Sequence, residues 1–154
     1  MLTRDEASTG VDRFRRYLRD RRLPVTRQRM AVAEVVLASA DHPSVELLRA
    51  RVNSRGVHVG LATLYRTVDA LVKSGLVLEH DFGEGFKRYE PAGERSEHAH
   101  LVCHRCGAVV EFTNERLERM FRMTADEHHF HYERHRVEIH GVCAACRARD
   151  LGAR

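Results

Sequence analysis

Residues 60–90 read GLATLYRTVDALVKSGLVLEHDFGEGFKRYE and carry most of the information about architecture. Between residues 60 and 75 the apolar residues recur at helical spacing, which predicts an amphipathic helix. Two β-prone runs follow, residues 76–80 and 86–90, separated by a turn that contains two glycines; this pattern predicts a hairpin. The apolar stripe of the helix consists of Leu61, Leu64, Val68, Leu71 and Val72.

The polar face of this helix carries residues suited to reading DNA. At 100° per residue, Arg66 points away from the apolar stripe, Thr63 also faces outward, and Tyr65 lies at the margin. A tyrosine ring can pack on a thymine methyl group, and an arginine can reach guanine or a phosphate. The alternative is an ordinary small helical domain whose tyrosine and arginine only cover the surface.

Three further helices are predicted upstream. Residues 11–22 form a basic amphipathic helix that ends before Pro24. Thr26 caps a second helix that continues to about residue 40, and Ser44 caps a third that closes at Gly56. Helices followed by a hairpin are the element order of a winged helix, in which the last helix enters the major groove. We therefore expect residues 1–90 to form a winged-helix DNA-binding domain.

Positive charge is concentrated in this first part. Residues 1–90 contain 16 Lys and Arg against 12 Asp and Glu, whereas residues 91–154 contain ten of each. Such a cluster suits contact with phosphates, although a solvated helix surface gives the same pattern. Because the sequence has neither a long apolar run nor a secretory signal, we expect the protein to be cytoplasmic. The clustered arginines are Arg13, Arg15, Arg16, Arg19, Arg21, Arg22, Arg27 and Arg29.

Residues 91–97, PAGERSE, are predicted to form a hinge, and residues 98–154 a small α/β domain. Its predicted elements are strands at 101–103, 108–112 and 132–142 and a helix that Asn114 caps and that ends near His128. A unit this thin is expected to need zinc and dimerisation for stability. On the helix, the side chains expected to face inward are Leu117, Met120, Phe121 and Ala125.

All four cysteines lie in two CxxC pairs, Cys103 with Cys106 and Cys143 with Cys146. Two such pairs provide the four thiolates of a tetrahedral zinc site, and a closed four-sulfur site is structural because no position is left for a substrate. Gly107 can adopt the positive φ that a tight turn after the first pair often needs. The alternatives are a redox-active CxxC pair, disulfides, or buried unpaired thiols.

A second group of metal-binding side chains begins the small domain. His98 and His100 lie at a predicted strand start, so both imidazoles project to one face, and Glu111 lies on the neighbouring strand. Nitrogen and carboxylate ligands suit Fe²⁺, Mn²⁺ or Zn²⁺. The alternative is that the two histidines are only exposed strand residues.

From about residue 12 to residue 147 the chain resembles the ferric uptake regulator family. The resemblance rests on the order and spacing of ten blocks: TRQR at 26–29, DHPS at 41–44, GLATLYR at 60–66, GLV at 75–77, RYE at 88–90, HAHLVC at 98–103, CG at 106–107, VEF at 110–112, HR at 135–136 and GVCAAC at 141–146. It implies a homodimeric, metal-dependent repressor of AT-rich palindromic operators, with an α+β fold made of a winged-helix domain and a zinc-holding dimerisation domain.

The resemblance also implies roles for individual residues. The four cysteines hold structural zinc. The sensing site, for Fe²⁺ with Mn²⁺ or Zn²⁺ as alternatives, joins the two domains through His42, Glu90, His98, His100 and Glu111. A weaker third site would use Glu97, Glu118 and His135, but it lacks a ligand because Ala99 stands where relatives often have an acidic residue. The expected DNA contacts are Thr63, Tyr65, Arg66, Arg22, Arg27 and Arg29.

Three other kinds of function are compatible with parts of the same pattern. A peroxide sensor would tend to have aspartates in place of Glu90 and Glu111 and asparagine in place of Arg66, and a zinc sensor stays open. A metal-dependent hydrolase needs an open coordination position and a general base, which five protein ligands leave little room for. A zinc-stabilised protein-interaction module would leave the arginine cluster without a role.

Overall fold

The structure, a computed structural model, describes residues 4–92 and 98–151. The chain divides into two compact units, Met1–Glu94 and Arg95–Arg154. Within the described ranges, no helix is both long enough and apolar enough to cross a membrane.

The first unit contains four helices and a two-stranded antiparallel sheet. Its elements are α1 (Arg4–Asp20), α2 (Arg27–Leu37), α3 (Val45–Ser54), α4 (Leu61–Lys73), β1 (Val77–Asp81) and β2 (Lys87–Pro91). The predicted hairpin is confirmed, with Val77 opposite Pro91 and Asp81 opposite Lys87. The first helix begins well before the predicted residue 11, because extending an existing helix costs little once the packed segment has nucleated it.

The predicted caps set the starts of the next two helices. The Thr26 hydroxyl oxygen accepts a hydrogen bond from the Arg29 amide at 3.3 Å, and Ser44 accepts one from Leu47 at the same distance. The second helix ends at Leu37 rather than near residue 40. Immediately beyond it, the Ser39 hydroxyl donates to the carbonyl of Val35, which gives the chain a local hydrogen bond in place of another helical turn.

The hydrophobic core of the first unit is formed by all four helices and the hairpin. On α4, Leu64, Val68 and Leu71 are buried as the apolar stripe predicts. Leu61 is the exception, with 44% of its surface exposed, because it is the first residue of the helix and lies beyond the packed turn. This core presents the opposite face of α4 to solvent, where Tyr65 is 51% exposed.

The second unit is a three-stranded sheet with two helices. Its elements are β3 (Ala99–Cys103), β4 (Val109–Phe112), α5 (Glu115–Glu127), β5 (Glu138–Gly141) and α6 (Ala144–Leu151). The strand order is β4-β3-β5, with β3 antiparallel to β4 and parallel to β5. The predicted α+β class is therefore confirmed.

Two expectations for this unit were wrong in detail, and one helix was missed. The predicted strand at 132–142 forms only over Glu138–Gly141, and α6 was not predicted at all. Met120 is 51% exposed, although its helical spacing predicted an inward position. A helix on a sheet this narrow has little to pack against within one chain, and none of the residues of α5 is buried.

Candidate metal centres

The four cysteines form one cluster, and the strand pairing explains how. Cys103 ends β3 and is paired with Gly141 on the parallel neighbour β5, so the chain segments after both strands start side by side. The first pair closes a tight turn in which Gly107 has φ +69°, as predicted. Sulfur atoms of all four cysteines lie within 4.8 Å of one another.

The geometry of this cluster fits a tetrahedral zinc ion. The Sγ atoms of Cys106 and Cys143 are 3.7 Å apart. An ion with Zn–S bonds of about 2.3 Å separates its ligand sulfurs by about 3.8 Å. The amide of Cys143 donates to the Cys103 sulfur at 3.3 Å, and this bond together with one from the Cys106 amide lowers the pKa of the Cys103 thiol to about 6. At Cys103, backbone amides thus already favour the thiolate that a metal needs, whereas the neighbouring cysteine sulfurs raise the pKa of Cys106 to about 11.

A guanidinium group also contacts the sulfur cluster. Arg149, on α6, donates from Nη2 to the Cys146 sulfur at 2.9 Å. Arg149 was not among the predicted site residues, because α6 itself was not predicted. Its position three residues after Cys146 was the available signal, since residues three apart on a helix are neighbours.

In the first unit, the carboxylate of Glu90 lies between two imidazoles. Its Oε2 atom is 2.7 Å from His42 Nε2, and its Oε1 atom is 2.8 Å from His80 Nε2. The exposed fractions of His42, His80 and Glu90 are only 5%, 6% and 5%. His42 and Glu90 belong to the predicted sensing set, whereas His80 was not predicted.

The loop that carries His42 is attached to the second strand of the hairpin. The Arg88 guanidinium donates to the His42 carbonyl oxygen at 3.1 Å and pairs with Glu84 through two nitrogens. The amide of Tyr89 donates to the Pro43 carbonyl at 3.1 Å. His42 and Glu90 are consequently held in a fixed relation by backbone and side-chain bonds together.

The second unit brings its own share of the predicted set together. The rings of His98 and His100 meet edge to face, with centroids 4.8 Å apart. Glu111 on β4 is the cross-strand partner of His100, so their side chains lie on the same face of the sheet. His100 is 2% exposed, whereas Glu111 is open to solvent. These imidazole and carboxylate donors are hard enough for Fe²⁺, Mn²⁺ or Zn²⁺.

The third predicted site receives no comparable arrangement. Glu97 lies outside the described residues. Glu118 and His135 both line a cavity of about 10 Å³ against Ala99 and Phe121, and the His135 Nδ1 atom is hydrogen-bonded to the Tyr132 hydroxyl. Over residues 4–92 and 98–151, no further His, Cys, Asp or Glu joins Glu118 and His135 closely enough to share an ion. A third ion stays a prediction.

The predicted DNA-contacting residues all lie in the first unit. Tyr65 and Arg66 are exposed on α4, and Thr63 is half-buried beside them. Arg22 follows α1 in a left-handed conformation, with φ 56°. Arg27 and Arg29 lie in the first turn of α2, where Arg29 also donates to the Pro24 carbonyl.

Comparisons with known proteins agree with these observations. The model of the Ferric uptake regulator family matches residues 20–140. A ferric uptake regulation protein of Campylobacter jejuni is 33% identical over 138 residues, covering 88% of this chain and 87% of that protein. A zinc uptake regulation protein of Mycobacterium tuberculosis is 36% identical over 127 residues, covering 80% and 94%. The crystal structure of the Vibrio cholerae ferric uptake regulator superimposes with a TM-score of 0.72 at 31% identity, covering 83% and 98%.

Proposed function

The chain belongs to the ferric uptake regulator family, and from this premise we propose that it is a dimeric repressor that binds operator DNA when its sensing site holds a metal ion. Members of this family regulate transcription and are not enzymes, so the hydrolase alternative is set aside. The proposed place of action is the cytoplasm, where the DNA is.

In this proposal the cysteine cluster holds a structural Zn²⁺ ion. Cys103, Cys106, Cys143 and Cys146 provide four sulfurs at tetrahedral spacing, and such an ion ties the turn after β3 to the start of α6. Its role is to stabilise the second unit.

The sensing site of the proposal uses His42 and Glu90 from the first unit and His98, His100 and Glu111 from the second. The observation that carries it is that each unit brings its own ligands together. In the first unit, His42 Nε2 and Glu90 Oε2 are 2.7 Å apart. In the second unit, the imidazoles of His98 and His100 lie on the same face of the sheet as Glu111. An ion that uses both sets binds one relative orientation of the units better than others. That differential affinity can couple metal binding to DNA binding.

The proposed metal is Fe²⁺. Glu90 and Glu111 stand where peroxide sensors tend to have aspartates, and Arg66 stands where they often have asparagine, so a peroxide response is the weaker alternative. Zinc sensing is a second candidate, favoured by the 36% identity to a zinc uptake regulation protein and by a ligand set that Zn²⁺ also accepts.

Dimerisation is supported by an unpartnered apolar row on the sheet of the second unit. Leu101 is directly opposite Val110 on one side and Ile139 on the other, so all three lie on one face. Their exposed fractions are 43%, 55% and 47%. Contiguous apolar surface of this kind usually marks an interface, and a second copy of the chain would bury it. The second unit also exposes three apolar side chains on and after α5: Met120, Met123 and Phe130.

DNA binding in this proposal is through α4 and the arginines of the first unit. The two recognition helices of a dimer would enter successive major grooves of an AT-rich palindrome. Tyr65, Arg66 and Thr63 would contact bases, and Arg22, Arg27 and Arg29 would lie near phosphates or the minor groove.

The test is DNA binding by a His98→Ala variant. Fe²⁺, Mn²⁺ and Zn²⁺ are titrated separately, without oxygen, against a labelled AT-rich palindromic duplex, with zinc retained in the cysteine cluster. We expect the unchanged protein to bind only when metal is added, and the variant to lose that dependence because an imidazole ligand is gone. The matched control is His131→Ala, which removes an exposed histidine outside the ligand set. Metal-dependent binding by the His98→Ala variant at unchanged metal concentration would refute the sensing assignment.

A further inference from the structure

We propose that His80 is a positioning residue that sets the metal affinity of the sensing site by holding Glu90 through the carboxylate oxygen that the metal does not use. This inference rests on the proposed function, since it takes Glu90 to be a ligand. It assigns a role to a buried histidine outside the predicted ligand set.

The two oxygens of Glu90 have different partners. Oε2 faces the proposed ligand His42 at 2.7 Å, and Oε1 faces His80 at 2.8 Å. An ionised carboxylate only accepts hydrogen bonds, so His80 Nε2 is the donor in its pair. When Oε2 binds an ion, Oε1 can keep its hydrogen bond to His80. Ligating carboxylates in metal sites are commonly held by such an outer hydrogen bond.

The hairpin register places His80 within reach of Glu90. His80 on β1 is directly opposite Arg88 on β2, and Glu90 is two residues further along the same face of β2. Diagonal neighbours of this kind lie within reach of long side chains. The strand register, rather than proximity in sequence, therefore brings the imidazole to the carboxylate.

The His80 ring is itself held in place. The Phe82 ring stacks on it with centroids 5.4 Å apart and an interplanar angle of 11°, and Phe82 also meets the His42 ring edge on at 5.9 Å. His80 and Phe82 are 6% and 4% exposed. A donor that cannot rotate away holds the carboxylate in one orientation before metal arrives, so less side-chain entropy is lost on binding.

The same contact limits how Glu90 binds. Oε1 already accepts the His80 N–H group, so the contact favours binding of an ion through Oε2. Without His80, the carboxylate loses its orientation. Removal of an outer hydrogen-bond partner of this kind typically weakens metal binding about 10- to 100-fold.

Two substitutions separate the hydrogen bond from the packing. His80→Phe keeps a ring to stack on Phe82 but removes the donor, whereas His80→Gln keeps an N–H donor but removes the ring. His58→Ala, which removes an exposed histidine of the same unit, is the control. The affinity for Mn²⁺ is measured by calorimetry on full-length protein that retains zinc, and the thermal midpoint is measured without Mn²⁺.

We expect His80→Phe to weaken Mn²⁺ binding about 10- to 100-fold, His80→Gln to weaken it less, and the control to bind as the unchanged protein does. If His80→Phe binds Mn²⁺ normally, the inference is wrong. It is also wrong if both His80 variants lose affinity equally and in proportion to a lower thermal midpoint, because His80 would then act only through folding. A parallel His98→Ala measurement distinguishes the two proposals. If His98→Ala binds Mn²⁺ with unchanged affinity, the sensing site itself is contradicted. If His98→Ala loses affinity but His80→Phe binds Mn²⁺ normally, only the role of His80 is contradicted.

Discussion

Among the described residues, the first unit buries twenty hydrophobic residues in a single cluster, whereas the second unit buries four, two of which are cysteines. Burial of a Leu or Val side chain contributes about 1.5–3 kcal/mol, so the first unit has the means to fold on apolar packing. The second has a narrow sheet, a helix without a buried residue and a cluster of four sulfurs. Under the proposed function, one unit is stabilised by its core and the other by metal–sulfur bonds and a partner chain.

The largest effect is expected from removal of the zinc that we propose for the cysteine cluster, which tests whether the two units are stabilised differently. Structural zinc contributes about 10–16 kcal/mol of apparent binding free energy in small domains. We therefore expect Cys106→Ser to lose zinc and unfold the second unit, while α1–α4 stay folded. Amide hydrogen exchange resolved along the chain measures both units at once. His104→Ala, in the same turn but without a ligand atom in the cluster, is the control. If the amides of β3 and β5 stay protected from exchange in the zinc-free variant, zinc is not what stabilises the second unit.

The converse test makes a cavity in the core of the first unit. Leu71 is fully buried, so Leu71→Ala is expected to destabilise that unit by about 2–5 kcal/mol while the second unit keeps its metal. Denaturant unfolding and zinc content, measured on the same samples, check the two halves of this expectation. Leu61→Ala, on the same helix at an exposed position, is the matched control and should change stability much less. Zinc loss that accompanies the Leu71→Ala destabilisation would show that the units do not fold separately.

The smallest expected effect concerns a surface ion pair of the first unit. Two nitrogens of Arg51 donate to Asp41 at 2.8 and 2.7 Å, and this hydrogen bonding holds the pKa of Asp41 below its ordinary value of 3.8. A carboxyl with a depressed pKa stabilises the fold above its unfolded pKa, and the contribution is lost as the pH falls through the folded pKa. Because both side chains are partly exposed, Asp41→Asn should cost at most about 1 kcal/mol at neutral pH.

This prediction is checked by urea unfolding of both proteins at neutral pH and below the ordinary pKa of aspartate. The difference between their free energies of unfolding should be smaller at the lower pH. A double-mutant cycle with Arg51→Gln isolates the pair from other effects of either change. A difference that does not depend on pH would assign the effect to something other than the ion pair.

Local signals in the sequence were sufficient for much of the architecture. The cap residues Thr26, Ser44 and Asn114 each accept the predicted amide hydrogen bonds, because a cap depends only on a side chain and the next few amides. The apolar stripe of α4 and the clustering of the two CxxC pairs also follow from spacing. These features needed no knowledge of distant contacts.

Features that depend on register or on packing could not be read from the sequence in the same way. His80 appeared to be an ordinary strand residue, since only the pairing of β1 with β2 places it beside Glu90. Arg149 gained a role only once α6 brought it to Cys146. The exposure of Met120 reflects the narrowness of the sheet, which helical periodicity alone does not reveal.

The bonds between the hairpin and the loop before α3 have a mechanical consequence. Arg88 and Tyr89 bond to the backbone of His42 and Pro43, and Ser44 forms an isolated bridge with Arg88. A displacement of the His42 imidazole or of the Glu90 carboxylate is therefore passed to the hairpin and to the start of α3 together. Both elements contact α4, so the side chains of His42 and Glu90 are connected to the proposed DNA-binding helix through packed elements of the first unit.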